Sequence, residues 1–167
     1  MFVLPPGSRS CQRPDGTPGN GGVWTHCMPK DPTTSFMNDL NRELNNSTMG
    51  DSDVRLFKRE LHAKMKRAEQ GLLQYGKNAK TDDVYELIRS RRELLELRHD
   101  DVTTVDDSGN MVSRLSRLYF TERKSHDGEL LAVAFYTKAP GPLGVEEQNT
   151  HIDSARGRLL SHIAQGR

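Results

Sequence analysis

Three apolar runs separated by two strong turn sequences constrain this chain more than anything else in it. They read LLELR at residues 94–98, SRLYF at 116–120 and LLAVAFYTK at 130–138. Leu95 and Leu97 alternate with Glu96 and Arg98, and Leu118 and Phe120 alternate with Arg117 and Tyr119. Alternation of period two is the mark of a strand with one face buried. Asp106, Asp107, Ser108, Gly109 and Asn110 stand between the first and second runs, and His126, Asp127 and Gly128 precede the last run. Both are sequences that reverse a chain, so the strands are expected to form an antiparallel meander. On this reading Arg117 and Tyr119 share one face, Tyr136 and Lys138 share a face of the last strand, and the larger apolar residues face the helices.

Helical periodicity flanks this sheet. Phe57, Leu61, Met65, Ala68 and Leu72 recur every three or four residues, which predicts a helix from about Asp53 with one buried stripe and Gly76 as its stop. Asp82 or Asp83 is expected to cap a short segment carrying Val84, Leu87 and Ile88. After Pro140 and Pro142 a closing helix runs from about Val145 and buries Ile152, Ala155, Leu159 and Ile163. The expected class is α+β: N-terminal helices on a small antiparallel sheet with a C-terminal helix.

Residues 1–52 read differently. Six prolines and five glycines are scattered through residues 5–32, and apolar periodicity is absent before Phe36. Such composition predicts a disordered or weakly structured tail, with Phe36, Leu40 and Leu44 able to make one short amphipathic helix before Asn45 and Asn46. The expected division is therefore a tail over 1–52 and a folded domain over 53–167. Cys11, Cys27 and His26 fall one ligand short of a closed zinc site, so reduced thiols are expected. No apolar run approaches the roughly 20 residues of a membrane span, and the apolar opening of residues 1–4 stops at Pro5, too short for a signal peptide. A cytoplasmic protein without membrane contact is the expectation. Net charge is only +1, but Lys and Arg dominate from Val54 to Arg98 and acids dominate from His99 to Leu130.

The order and wording of these segments resemble the RelE/ParE superfamily of type II toxins, in its HigB-like, phage-related branch. The resemblance rests on Leu72, Leu73, Tyr75 and Gly76 at a helix end and on Leu94, Glu96, Leu97 and Arg98 in the first strand. Arg117, Tyr119 and Phe120 in the second strand, Lys138 before Pro140, and Ile152, Ala155 and Arg158 in the last helix complete it. It spans about residues 54–160. A strand is expected ahead of the first helix in this family, and residues 50–53 are a poor β sequence. The resemblance implies a toxin that cuts mRNA on the ribosome as a metal-independent endoribonuclease and so inhibits translation. It also implies no small-molecule cofactor and a separate antitoxin, a helix-turn-helix protein, as partner. ParE-type relatives inhibit DNA gyrase instead, and a non-catalytic binding module of the same fold is a further alternative.

RNA cleavage of this kind needs phosphate charge neutralised and two protons moved. Arg98, Arg117 and Arg156 are candidates for holding phosphate, with Arg158 beside them. Lys138 can stabilise charge or act as a base, Tyr119 and Tyr136 can stack on a base or relay a proton, and His151 and His162 are alternative acid/base groups. Each has an ordinary reading as well. Arg98 can pair with Asp100 or Asp101, Lys138 can guard a sheet edge, the tyrosines can be packing residues, His151 can lie on the surface, and Arg156 and Arg158 can simply suit a helix C-terminus.

Overall fold

The computed structural model describes residues 8–76, 83–91, 93–123 and 125–167 of the chain. Asp82 and residues 1–4 lie outside them. In chain order the elements are β1 (Val23–His26), α1 (Phe36–Asn45), α2 (Asp51–Glu69), β2 (Val84–Glu86), β3 (Leu95–Val105), β4 (Met111–Thr121), β5 (Glu129–Lys138) and α3 (Gly141–Ala164). The class is α+β. The sheet is mixed and five-stranded, ordered β1-β5-β4-β3-β2, with β1 parallel to β5 and the remaining pairs antiparallel.

The central meander is where its turn residues place it. Asp106 Oδ1 accepts the backbone N–H groups of Ser108 and Asn110, each at 2.9 Å, and Gly109 takes the positive φ that the β3–β4 reversal requires. The segment expected to begin with an Asp cap is instead β2, followed by a 3-10 turn at Ile88–Ser90. β-Branched Val84 and aromatic Tyr85, paired to β3, outweigh a helix too short to nucleate.

Both faces of the sheet are covered. Phe36, Leu40 and Leu44 of α1 and Phe57, Leu61 and Ala68 of α2 bury Leu97, Leu118, Phe120 and Phe135. On the opposite face Ile152, Ala155 and Leu159 of α3 bury Tyr119, Leu131, Val133 and Tyr136. The face carrying Arg117 and Tyr119 is therefore interior, not solvent-facing as a simple in-out alternation suggests. α3 starts earlier than expected, at Gly141, and Ile163 is left 37% exposed while His162 turns inward and its Nδ1 accepts the Met28 N–H at 3.0 Å.

α2 stops at Glu69, short of Leu72 and Gly76. Gly71 adopts φ 69° there, and a Cβ on it would run into the backbone of Gly19. That close approach explains why the expectation of disorder over residues 1–52 fails for residues 8–52. The segment orders through its backbone: Leu73 donates to Ser10 O, Gln12 to Leu73 O, Gly19 to Gly71 O and Gly22 to Glu69 O. Glycines that look like disorder are here the residues that let two backbones touch. Beyond them, β1 pairs with β5, and Cys11 and Cys27 are buried, unpaired thiols in separate cores.

A carboxylate locks the start of this arm. Glu122, fully buried, accepts from Ser8 Oγ at 2.5 Å, Arg9 N at 2.7 Å, Ser10 N at 3.1 Å and Ser10 Oγ. Arg9 in turn donates to Glu129 O at 2.7 Å. Glu122→Ala strands these donors, at roughly 1–3 kcal/mol for each one left unsatisfied. Brief trypsin digestion is expected to cut the variant after Arg9 while wild type resists; equal resistance would show that the arm is held some other way.

Candidate phosphate-binding site

β3, β4 and β5 place their cations side by side because cross-strand partners share a face. Arg98 stands opposite Arg117, Arg117 opposite Tyr136, and Glu96 opposite Tyr119. Lys138 lies two residues beyond Tyr136 on the same face. Arg98, Arg117, Tyr119, Tyr136 and Lys138, all marked from sequence, thus converge beneath α3.

At their centre is Glu96, 1% exposed, which the sequence reading passed over. Arg98 Nε lies 3.3 Å and Arg117 Nε 2.9 Å from its Oε1. Gln148 of α3 donates to the other carboxylate oxygen and accepts from Lys138 Nζ at 2.7 Å. Arg98 pairs with Glu96, not with Asp100 or Asp101, and its guanidinium sits 5.1 Å above the Tyr85 ring. Period two could have flagged Glu96, since it shares parity with Arg98 in a short apolar strand. Nothing local marks Gln148 or Tyr85; they arrive through tertiary packing.

Three cations around one buried carboxylate leave an excess of positive charge, and two arginines directly opposite one another repel. Donors are also in excess. Arg98 Nη1 and Tyr119 Oη are buried without a hydrogen-bond partner, and Arg117 Nε, although close to Glu96, does not aim its hydrogen at it. Unmatched buried donors beside unmatched positive charge are what an anion satisfies. Burial lowers the Lys138 ammonium pKa; Glu96 opposes this, and Arg117 and Arg98 add to it. Burial, with the Glu96 charge second, raises the Tyr119 hydroxyl well above its ordinary value, so it is a donor and not a base.

His151 joins the edge of the cluster. Its ring stacks on Tyr136 at 4.3 Å and 10°, its Nδ1 is buried without a partner, and burial lowers its pKa. It is half-buried against Tyr136 and not a freely exposed side chain. Arg156 stands apart, its Nε bound to Glu93 at 2.6 Å, whereas Arg158 touches the rim of the cluster: Asp39 holds it at 2.5 and 3.2 Å and its Nη2 donates to Tyr136 Oη at 2.7 Å. These contacts fasten α3, and His162 lies away from the cluster against Met28.

Burial lowers the imidazole pKa of His99 and His162 as well as that of His151. The unfolded chain then takes up protons near pH 6.5 that the folded chain refuses, so stability is complete above that pH and falls as pH drops below it. Urea denaturation at pH 7.5 and 5.5 is expected to show a lower midpoint at 5.5. His151→Phe, which keeps the stack on Tyr136, is expected to reduce that difference; an unchanged difference would remove His151 from the effect.

No protein-family model matches the chain, and no curated protein or solved structure is significantly similar to it.

Proposed function

We propose that the chain is a RelE/HigB-like toxin, an endoribonuclease that cuts mRNA on the ribosome and thereby halts translation. One observation carries the reading: Arg98, Arg117 and Lys138, from three consecutive strands, converge on Glu96 with donors to spare. The fold supports it too. A strand precedes the helices, at Val23–His26 and not next to α2, and the meander and closing helix follow in the expected order.

In this reading an RNA phosphate takes the unmatched hydrogens of Arg98, Arg117 and Tyr119. The ribose 2′-oxygen forms a bond to phosphorus as its proton passes to Glu96. The phosphorus–5′-oxygen bond breaks, and Lys138 supplies the proton to the leaving oxygen. The products are a 2′,3′-cyclic phosphate and a 5′-hydroxyl. Gln148 bridges the two proton-transfer groups and so must give way. The partner is a separate helix-turn-helix antitoxin, the setting is the cytoplasm, and no cofactor takes part; no described helix is long and apolar enough to cross a membrane.

A second reading, inhibition by binding alone, is favoured by coverage: Arg117 is 7% exposed and lies under α3. Mapping RNA 5′ ends after induction separates the two. New 5′-hydroxyl termini within translated mRNA are expected; growth arrest without them points to a gyrase-type or other binding target.

A further inference from the structure

The side of the molecule away from the phosphate site carries a groove between α1, α2 and β1 with a volume of about 310 Å³. Trp24, Phe36, Met37, Leu40, Leu61 and Met65 make its apolar lining. The floor is fixed in advance: the Trp24 indole N–H donates to Met65 O at 2.8 Å, its ring meets Phe120 edge-on at 5.3 Å, and His26 stacks on Phe36 at 5.9 Å. Met37 is nevertheless 45% exposed.

One flank of the groove is a cationic ridge. Lys58, His62 and Lys66 of α2 line the groove beside Glu69, and Arg55 and Arg59, three residues before Lys58 and His62, continue the same side of the helix; all five basic residues are exposed. Such spacing keeps them on one side of the helix. Among the described residues Arg55, Lys58 and Arg59 form no ion pair, Lys58 donating to Asn41 Oδ1 at 3.1 Å, and Lys66 is matched by Glu69 at 2.7 Å. The only acid between Asp53 and Glu69 is Glu60, an exposed carboxyl whose pKa the neighbouring Asp100 raises.

We propose that this groove is the docking site for an acidic amphipathic helix of a protein partner. Apolar side chains at helical spacing would fill the Trp24–Met37–Met65 floor, and Asp or Glu on the helix flank would meet the ridge. From Lys58 to Glu69 the wall runs about 16 Å, the length of three helical turns. RNA has the charge for the ridge but no chemistry for an apolar floor of this size, and a free fatty acid has no use for a ridge of three unpaired cations. The inference does not depend on the nuclease reading, because none of these residues belongs to the phosphate site.

Trp24 is the only tryptophan, so its fluorescence reports on the groove directly. The whole chain is titrated with a synthetic helix carrying Leu at i, i+3, i+4 and i+7 and Glu on its flanks. The comparators are the same helix with Lys for Glu, decanoate, and a single-stranded RNA oligonucleotide. A saturable emission shift with the acidic helix is expected, at least about tenfold weaker with the Lys version and weakened as much by 0.5 M salt. Arg55→Glu with Arg59→Glu, and separately Met37→Asp, are expected to reduce affinity about tenfold or more while the circular dichroism melting curve is unchanged. No shift with the acidic helix at roughly millimolar concentration, an equal shift with the Lys version, or tighter binding of decanoate or RNA at Trp24 overturns the proposal.

Discussion

A chain carrying Arg117→Gln and Lys138→Met is expected to lose growth arrest and to leave RNA 5′ ends as they are in uninduced cells. Arg117 supplies donors for the phosphoryl oxygens, and removing one such donor costs about 10²–10³ in rate. Lys138 supplies the proton for the leaving oxygen, worth about 10²–10⁴. The two act on one event, so their losses do not simply multiply, and a combined loss of at least about 10³ is expected. Arg98 remains within 3.3 Å of Glu96 and Gln148 still donates to it, so the carboxylate is not abandoned. The melting midpoint of the variant shows whether the fold survives. Arg117→Lys is expected to rescue little, because an ammonium cannot reproduce the planar fork. Full toxicity in the folded double variant would remove both residues from the chemistry.

The largest loss of stability is expected from Asp39→Ala. β1 ends at His26, opposite Ala132, which leaves the rest of β5 as an open sheet edge. α1 lies along that edge. The Asp39 carboxylate, fully buried, accepts the Phe135 N–H at 3.2 Å, and Glu43 accepts from Thr137 Oγ1 at 2.6 Å. Arg158 reaches the same carboxylate from α3 with two bonds, and Arg42 adds a third cationic contact at 3.1 Å. Asp39 therefore joins α1, the sheet and α3 at one point. Burial alone would lower the Arg158 pKa, but Asp39 together with Tyr136 and Cys27 more than offsets it and raises the value. Breaking a buried pair by removing one partner costs about 3–5 kcal/mol, on the order of 10 °C in melting temperature for a chain of this size. A loss below about 1 kcal/mol would mean that this junction is solvated and not a fastening.

The meander was legible because its information is local. Asp106 and Gly109 define a reversal by their own backbone chemistry, and Leu118 with Phe120 declare a buried face by alternation. The face-sharing of Arg117 and Tyr119, and of Tyr136 and Lys138, followed from the same period. α1 was legible in Phe36, Leu40 and Leu44 for the equivalent helical reason. The order of residues 8–32 was not legible, since Gly19, Gly21 and Gly22 contribute backbone hydrogen bonds to Gly71, Arg9 and Glu69 and no apolar pattern. Glu96 illustrates a different gap. A cation on a sheet face looked purposeless without a partner, and its partner was a carboxylate only two residues from Arg98 whose role emerges when three strands pair. Gln148, about fifty residues further on, has no sequence mark at all.

By itself the sequence determined the three strands of the meander, the helices, where the meander reverses and which cations share a side of the sheet, because dihedral preference and apolar period act over a few residues. Tertiary structure alone decided that α3 roofs those cations, that Glu96 binds them, that Asp39 seals the edge of β5 and that a glycine-rich arm is part of the core. Those outcomes depend on desolvation and on contacts between residues distant in the chain, and no local rule carries either.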